Sequence, residues 1–572
     1  METQVQTNGG AVRSRREEAL AALECRAPVA LLGAALFVAA IVLVLAQWHI
    51  TFFQDTFAFL LDRQPWTAHS FFMPHNEHIV VLPVLITKVL LEVFGMTSNV
   101  PEQIAMGVTL MAAAVLLFVW VRRRVGPWLA LVAAVTILFL GSAWPVILWP
   151  FENEFTLPVV FGLAMLLFLD REDSRGDAWA CAMLALATIS GSLGISFIVA
   201  AFVDLVLNRR ERGWRRAYVF AVPLLIYLAW YAGYGHEAEH HLTLHNILNS
   251  PAYVVEGFAS ALDSLAGLST IPVNSPGQND WGRPLLVGVV ALVAFGQWRK
   301  PGFSRGFWTV AIAAVSYWLL AALNFVPGRE ASASRYVYAG AVFVLLIAAE
   351  LLRGWRFSKK GLIIVGAAAL LAILPNLAQM KNGSDWEKEQ SIYTRSDIGA
   401  MEIARDTVAP AFFLGSVETT GTASLALVEA EKWFEAVDRW GTPAYSVSEL
   451  ERAPSIGRHY ADLVLSQALP ISIESTPGSF DSSLSSEAAC VALPGGESAQ
   501  KEVKVGPGLT RVEVAPGPPA EIAMRRFASE EFPVPIAGGE GDSTTVVTIP
   551  RDRAKTPWYM HVEASQLTRV CR

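Results

Sequence analysis

Four short stretches of this chain carry the residues best suited to chemistry. The first holds Phe53-Gln54-Asp55-Thr56-Phe57, Asp62, Arg63, His69 and Met73-Pro74-His75-Asn76-Glu77-His78. The second is Trp149-Pro150-Phe151-Glu152-Asn153-Glu154-Phe155. The third opens Gly235-His236-Glu237-Ala238-Glu239-His240-His241 and runs past His245 to Asn279-Asp280-Trp281 and Arg283. The fourth is Pro327-Gly328-Arg329-Glu330-Ala331-Ser332-Ala333-Ser334-Arg335-Tyr336. Carboxylates act as general bases or hold a hard cation. Arginine offers phosphate a forked set of donors. Tryptophan stacks on sugar rings, although beside a bilayer its ordinary place is an interfacial belt. Each residue also has a plainer reading: a solvated loop acid, an arginine snorkelling to head groups, a histidine bonded to loop backbone.

What positions these stretches is a set of apolar runs. The 572 residues are 53% hydrophobic and only 17% charged, with a mean hydropathy of +0.40. Soluble chains carry ~25% charged residues, so the deficit indicates a polytopic α-helical membrane protein. No basic domain or nucleic-acid motif is visible, which sets nucleic acid aside. About eleven runs approach the ~17–25 residues a span needs. They are 29–47, 104–121, 127–147, 157–170, 178–191, 195–207, 217–234, 284–298, 307–326, 336–353 and 361–379. Residues 1–28 read as a cytoplasmic tail before a retained anchor.

Basic residues beside spans mark the cytoplasmic side. With the N-terminus inside, Arg13 to Arg26, Arg122 to Arg124, Arg171 with Arg175, Arg209 to Arg216, Arg299 to Arg305 and Arg353 to Lys360 all fall there. The four reactive stretches then share the opposite face of a plasma membrane. The same count makes Ile79 to Phe94 a helix lying along the outer surface, because a crossing there would invert every later cluster. Ser190-Gly191-Ser192-Leu193-Gly194 suits close helix approach or a helix break. His236-Glu237-Ala238-Glu239-His240 matches the H-E-x-x-H zinc spacing, which needs both imidazoles on one helical face.

After Gln379 the long apolar runs end. Residues 29–379 form the membrane domain, with outer loop 48–103, and residues 380–572 an extracytoplasmic α+β domain. Within the latter, 395–470 carries helix signals: helical spacing over Leu425 to Trp440, and a helix start at Ser446-Val447-Ser448-Glu449. Residues 485–572 read as a β-sandwich, with Val503, Val505, Val512 and Val514 alternating, and Val546 with Thr548 nearby. Trp558 and Tyr559 are either carbohydrate platforms or core. Cys490 and Cys571 are the natural disulfide of an external domain, two free thiols being the alternative.

The order of these features resembles the GT-C superfamily of membrane glycosyltransferases, in its mannosyltransferase- and arabinosyltransferase-like layouts. The matching features are an anchor followed by Asp55, the Pro/His-bearing segment Met73 to His78, an apolar helix ending in Phe94-Gly95, and a span closed by Arg122 to Arg124. A weaker match is Ser334-Arg335-Tyr336. The resemblance implies a polyprenyl-phosphate-linked sugar donor and a glycan, lipid or protein acceptor. It implies Asp55 as catalytic base, Glu154 or Glu152 as a second acid, and Arg335 with Arg329 at the donor phosphate, with His75, Glu77 and His78 in support. It allows a divalent cation, Mg²⁺ or Mn²⁺, held by Asp55 and Glu154. Two departures stand: Gln54-Asp55 replaces an acidic pair, and His75-Asn76-Glu77-His78 replaces a Pro-Pro pair. Two other readings compete. A transporter or flippase of lipid-linked sugar needs polar residues at mid-bilayer depth; only Asp204 and Ser190 to Ser196 offer any. A membrane-anchored cell-envelope binding protein would place the work in the C-terminal domain.

Overall fold

The computed structural model describes residues 8–269, 281–299, 301–417, 425, 427–477, 490–493, 501–518, 520–530, 533–539 and 543–571. Asn279 and Asp280 of the third stretch, Pro519 and residues 485–489 lie outside them. The chain divides into two compact units. The first comprises Met1–Trp48, Pro65–Thr87 and Val100–Trp386; the second comprises His49–Gln64, Lys88–Asn99 and Glu387–Arg572.

Helices dominate the chain from α1 to α15. They are α1 (Asn8–Gln47), α2 (Ala68–Phe72), α3 (Val81–Phe94), α4 (Val100–Val125), α5 (Pro127–Leu138), α6 (Trp144–Leu148), α7 (Asn153–Leu169) and α8 (Ser174–Thr188). There follow α9 (Leu193–Arg212), α10 (Tyr218–Tyr234), α11 (Leu244–Leu265), α12 (Gly282–Arg299), α13 (Arg305–Leu323), α14 (Ser334–Leu351) and α15 (Lys359–Ile403). Each expected span falls on one of these helices or, for 127–147, on α5 and α6 together. Among the described residues, eight helical segments are long and apolar enough to cross a membrane, so this is a multi-pass membrane protein. The expected spans outside the eight are α8, which has 15 residues, α9, which carries Asp204 and ends in Arg209 to Arg212, and α12, which has Arg283 and Arg299 at its ends. At 14 residues, α3 reaches only ~21 Å, short of a ~30 Å hydrocarbon core.

Ion pairs tie the basic clusters of the first unit to one another. Arg124 pairs with Glu350 and with Asp170 (3.0 Å), lies over the Trp120 ring at 3.4 Å, and so joins α4, α7 and α14. Glu350 is fully buried and also takes Ser304 Oγ–H at 2.8 Å and Arg353 at 3.3 Å. Arg216 bridges Asp177 (3.1 Å) and Asp204 (2.9 Å), and Arg212 adds a second bond to Asp177 at 3.0 Å. Arg305 reaches Asn208 and Glu211. Basic residues far apart in the sequence are thus joined through shared carboxylates.

The second unit is not the simple C-terminal block that a boundary at residue 380 implies. His49–Gln64 and Lys88–Asn99 belong to it because their apolar side chains complete its core. Phe52, Phe57, Leu60, Leu61, Leu91 and Met96 are buried in one cluster with Ile398, Met401 and Trp433. Phe57 meets the Trp433 ring edge-on at 6.1 Å, and Trp433 Nε1 donates to Glu402 at 3.1 Å. Gly95 ends α3 with φ +72°; a Cβ there would sit 2.6 Å from the Trp440 carbonyl oxygen, so both backbone and space demand glycine. The helix expected from Leu425 begins only at Ala430: α16 is Ala430–Trp440, and Leu425 is buried ahead of it. α17 (Val447–Leu450) starts with the capping box Ser446 and Glu449, and α18 is Ser455–Ala468.

Two antiparallel sheets follow. β1 (Ser472–Pro477), β2 (Cys490–Leu493), β4 (Gly508–Val514), β7 (Ser543–Ile549) and β9 (Thr568–Cys571) pair in the order β1-β7-β4-β9-β2. β3 (Lys501–Val505), β5 (Ala520–Arg525), β6 (Val534–Gly539) and β8 (Trp558–Glu563) pair as β3-β8-β5-β6. The sheets thus begin at Ser472, earlier than residue 485. Val503, Val505, Val512 and Val514 are buried as their alternation predicts, but on β7 the inward residues are Val547 and Ile549, one position off Val546 and Thr548. Trp558 is buried in this core, which removes it as a sugar platform, and Tyr559 lies under the Arg525 guanidinium at 4.7 Å. Cys490 faces Cys571 across β2 and β9 and is disulfide-bonded to it.

Asp462 of α18 fastens helix to sheet. Its buried carboxylate accepts from the backbone N–H of Arg526 (2.7 Å), Phe527 (3.0 Å) and Ala528 (2.9 Å). Burial pushes its pKa up to about 6, against the lowering effect of those N–H groups and of Arg526. The folded value lies above the unfolded one, so ionisation disfavours the folded state as the pH rises from about 4 through about 6. Asn carries no such charge. The stability of Asp462→Asn relative to wild type should therefore rise between pH 4 and 7, read as the difference in melting temperature of the full chain in detergent. Asp462→Ala, which leaves three buried N–H groups without an acceptor, should cost about 3–5 kcal/mol near pH 4 and less as the pH rises through about 6. A pH-independent difference between wild type and Asp462→Asn would contradict the burial argument.

Candidate membrane-face cavity

The segment His75 to His78 folds into a tight turn. His75 N–H donates to the His78 carbonyl (3.0 Å) and His78 N–H to the His75 carbonyl (2.8 Å). Such a turn needs a residue at positive φ, and Asn76 supplies it at +50°, a conformation asparagine tolerates. The Asn76 carbonyl accepts from Glu239 N–H at 3.0 Å, which brings the third stretch alongside. At the end of the turn, Glu77 meets Arg329 of the fourth stretch: both carboxylate oxygens accept from Arg329 Nη1, at 2.8 and 2.9 Å. Arg329 Nη2 lies 3.7 Å from Glu239 Oε2. Tyr253 of α11 holds the Arg329 backbone, its hydroxyl donating to the carbonyl at 2.7 Å.

This ion pair edges a cavity of about 270 Å³. Its polar rim is Glu77, His78, Ser192, Glu239, His240 and Asn324. Four tyrosines from three helices line it: Tyr227 and Tyr231 of α10, Tyr317 of α13 and Tyr336 of α14. Leu193 and Ile195 of α9 and Leu320 and Leu323 of α13 make its apolar wall. The second stretch packs against the same turn. Phe155 lines the cavity and meets the rings of His78 and Tyr336 edge-on, and Phe151 does the same to His75 at 4.9 Å.

The electrostatics follow from burial and from Arg329. Burial alone raises the Glu77 pKa, but the positive charges and hydrogen bonds beside it prevail and hold it below the usual carboxylate value. Burial lowers the His78 pKa, with only Glu77 pulling the other way, so the imidazole is neutral near pH 7 and Arg329 is the cation that counts. The Glu77 carboxylate, 3.7 Å from His78 Nε2, favours a proton on that nitrogen. His78 Nδ1 then accepts from Ser192 Oγ at 2.8 Å. Because the Glu77 pKa is depressed, its pair with Arg329 is fully present at neutral pH and is lost as the pH falls below the ordinary carboxylate range.

Of the residues singled out from sequence, Glu77, His78, Glu239, His240 and Tyr336 line one cavity, with Arg329 bonded to Glu77 and His75 in the same turn as His78. Arg335 and Glu152 belong to the same electrostatic neighbourhood, Arg335 acting on His78 and Glu152 on Tyr317 and Tyr336. Arg335 is exposed and donates only to the Gly328 carbonyl, at 3.4 Å, among the described residues. Arg329 is committed to Glu77, which makes it a holder of the carboxylate before it is a phosphate ligand. Glu152 and Glu154 are buried at the start of α7, and Gly191 lets the α8–α9 turn approach the Glu154 backbone, where a Cβ would lie 2.3 Å from the carbonyl oxygen. Asp55 is half-buried in the second unit. Among the described residues no three His, Cys, Asp or Glu side chains are placed together to hold a metal. The zinc-protease spacing also fails: a 3₁₀ turn spans Gly235–Glu237 and Ala238 is extended, so His236 and His240 share no helical face. Sequence reading missed Asn324, Tyr227, Tyr231 and Tyr317 as site residues, and named Ser192 only as a small residue at a helix break. Tyr227 and Tyr231, four apart on one helix, were the available signal.

No family model and no curated protein matches the chain. Among solved structures, ArnT from Cupriavidus metallidurans bound to undecaprenyl phosphate aligns at 13% identity, over 74% of this chain and 90% of that one, with a TM-score of 0.43. The apo form of the same protein aligns at 12% identity, over 78% and 92%, with a TM-score of 0.45. The archaeal oligosaccharyltransferase AglB from Archaeoglobus fulgidus, in complex with an inhibitory peptide and a dolichol-phosphate, aligns at 14% identity, over 72% and 64%, with a TM-score of 0.40. All of these alignments lie below 15% identity and below a TM-score of 0.5.

Proposed function

We propose that the protein is an integral membrane glycosyltransferase of the GT-C type, moving a sugar from a polyprenyl-phosphate donor to an extracytoplasmic acceptor. One observation carries this reading: a cavity with an apolar wall from membrane helices and a rim of Glu77, His78, Glu239, His240 and tyrosine hydroxyls. A lipid-linked sugar has the same division, an isoprenoid chain that prefers the wall and hydroxyls that need the rim. Arg335, exposed beside that rim, is the proposed partner of the donor phosphate; Arg329 positions Glu77.

In this reading the acceptor hydroxyl attacks the anomeric carbon, the bond to the phosphate oxygen breaks, and a base takes the hydroxyl proton. Asp55 carries the base role on its place after the first apolar run alone. The leaving phosphate gains charge, which Arg335 offsets. A divalent cation remains part of the reading, to be tested by chelation. The N-terminus is proposed to be cytoplasmic and the disulfide-bonded C-terminal domain external, where a disulfide persists.

Two experiments test this. In a transfer assay with a panel of polyprenyl-phosphate sugars, Asp55→Asn should lose at least ~100-fold in rate, as expected for a lost general base. Arg335→Ala should weaken transfer while leaving the fold intact. Turnover of no donor, or wild-type rates in Asp55→Asn, would end the assignment. In intact cells, with Cys25 and Cys181 replaced by Ser, an impermeant thiol reagent should label Ser448→Cys and not Arg123→Cys. The reverse pattern would invert the topology.

A further inference from the structure

A groove of about 680 Å³ opens between α1, α5 and α15, all in the first unit. Its walls include Leu31 of α1, Trp128 and Leu131 of α5, and Leu362, Gly366 and Ile373 of α15. Along α15 it runs from Lys359 to Ile373, about 21 Å at 1.5 Å per residue. One leaflet of a ~30 Å hydrocarbon core is ~15 Å deep, so the groove shelters a chain over that whole depth. Its floor is open over Gly366, where a Cβ would meet nothing within 4 Å.

The only charged residue in the lining, Lys359, stands at one end, with Arg356 and Lys360 beside it in sequence. Gly354 N–H donates to the Arg124 carbonyl at 3.4 Å, which sets the segment before α15 beside the end of α4 and the start of α5. Trp128 and Trp355 are exposed in these two segments, as indoles at head-group level are. Arg124 and Arg353 are committed to Glu350, whereas Arg356, Lys359 and Lys360 pair with no carboxylate among the described residues. This end therefore keeps its positive charge. It is also remote from the cavity edged by Glu77: Tyr336 lines that cavity from the first turn of α14, and Arg124 meets Glu350 at the last turn, roughly 20 Å along the helix.

An alkyl wall that ends in an uncompensated cation matches an alkyl chain that ends in an anion. A transmembrane helix fits less well, because such contacts use faces of small residues and polar side chains that bond across, and these walls are mostly Leu, Ile, Val and Trp. A zwitterionic lipid carries its own cation and gains little from Lys359. We infer that the groove binds an anionic diacyl phospholipid, with one acyl chain along α15 and the head-group phosphate at Lys359. On the proposed sidedness this lipid comes from the cytoplasmic leaflet, whose anionic lipids are recognised by basic pockets between helices. Touching three helices at once, it stabilises the folded chain by binding it. The site does not depend on the proposed transferase activity.

The test is native mass spectrometry of the full-length protein in detergent, titrated with phosphatidylglycerol, with phosphatidylcholine of the same acyl chains, and with undecaprenyl phosphate. Phosphatidylglycerol should raise the melting temperature and bind about fivefold or more tighter than phosphatidylcholine, the factor one lysine contributes at an anionic surface. The double variant Lys359→Gln, Lys360→Gln should bring that ratio near one. Gly366→Leu should weaken both lipids about tenfold by filling the space the chain needs. An unchanged lipid-free melting temperature checks the folding of both variants. Equal affinity for the two lipids in wild type, or phosphatidylglycerol binding unchanged in either variant, would mean ordinary boundary lipid and overturn the assignment. Preference for undecaprenyl phosphate would also overturn it, as would a dimer that Gly366→Leu dissolves, which would give the groove to a second copy. A wild type that binds phosphatidylglycerol as stated but turns over no donor would strike the transferase reading and leave the lipid site standing.

Discussion

The contact on which the site of this protein depends is the pairing of Glu77 with Arg329, residues 252 apart in sequence. Both side chains are about 15% exposed. At that depth an unpaired charge is costly, and removing one partner leaves the other uncompensated. The pair joins the turn after the first apolar run to the loop before α14. Through the Asn76 carbonyl and the Tyr253 hydroxyl it also fixes the Glu239 segment and α11. With His78 neutral, the cavity edge sets the Arg329 guanidinium against two carboxylates, Glu77 and Glu239.

The helices of the first unit are held at their basic ends by a different device. Arg124 with Glu350 and Asp170, and Arg216 with Asp177 and Asp204, anchor helices far apart in the chain. Those networks set where helices end, and so where α9, α10, α13 and α14 bring their opposite ends together around the tyrosines. The second unit solves its own problem with the Asp462 carboxylate, the Arg526–Asp552 pair and the Cys490–Cys571 bond, which lock helices and sheets through groups other than apolar side chains.

The helical membrane architecture was legible because long apolar runs have no other stable solution. The disulfide and the capping box at Ser446 were legible for similarly local reasons. The site was legible only in part. Glu77, His78 and Arg329 stood out as polar residues in outer loops, but their pairing is tertiary and leaves no spacing in the sequence. Tyr336 closed a stretch singled out from sequence, whereas Tyr227, Tyr231 and Tyr317 lie inside apolar helices and were not picked out. The His236 and His240 spacing has no helix behind it, because spacing says nothing of whether a helix forms. Phe52, Phe57, Leu60 and Leu61 fell in a stretch read as outer loop, and their packing with Trp433 makes them core of the second unit.

The most direct test of the organising role of Glu77 and Arg329 is a double-mutant cycle on unfolding of the full-length protein. Glu77→Gln, Arg329→Gln and the double variant would be compared with wild type at pH 7. A buried, hydrogen-bonded pair predicts a coupling of about 1–3 kcal/mol, with the double variant more stable than the sum of the single losses implies. Losses that add within about 0.5 kcal/mol would mean that the two side chains do not act together, and the cavity would have to be held by something else.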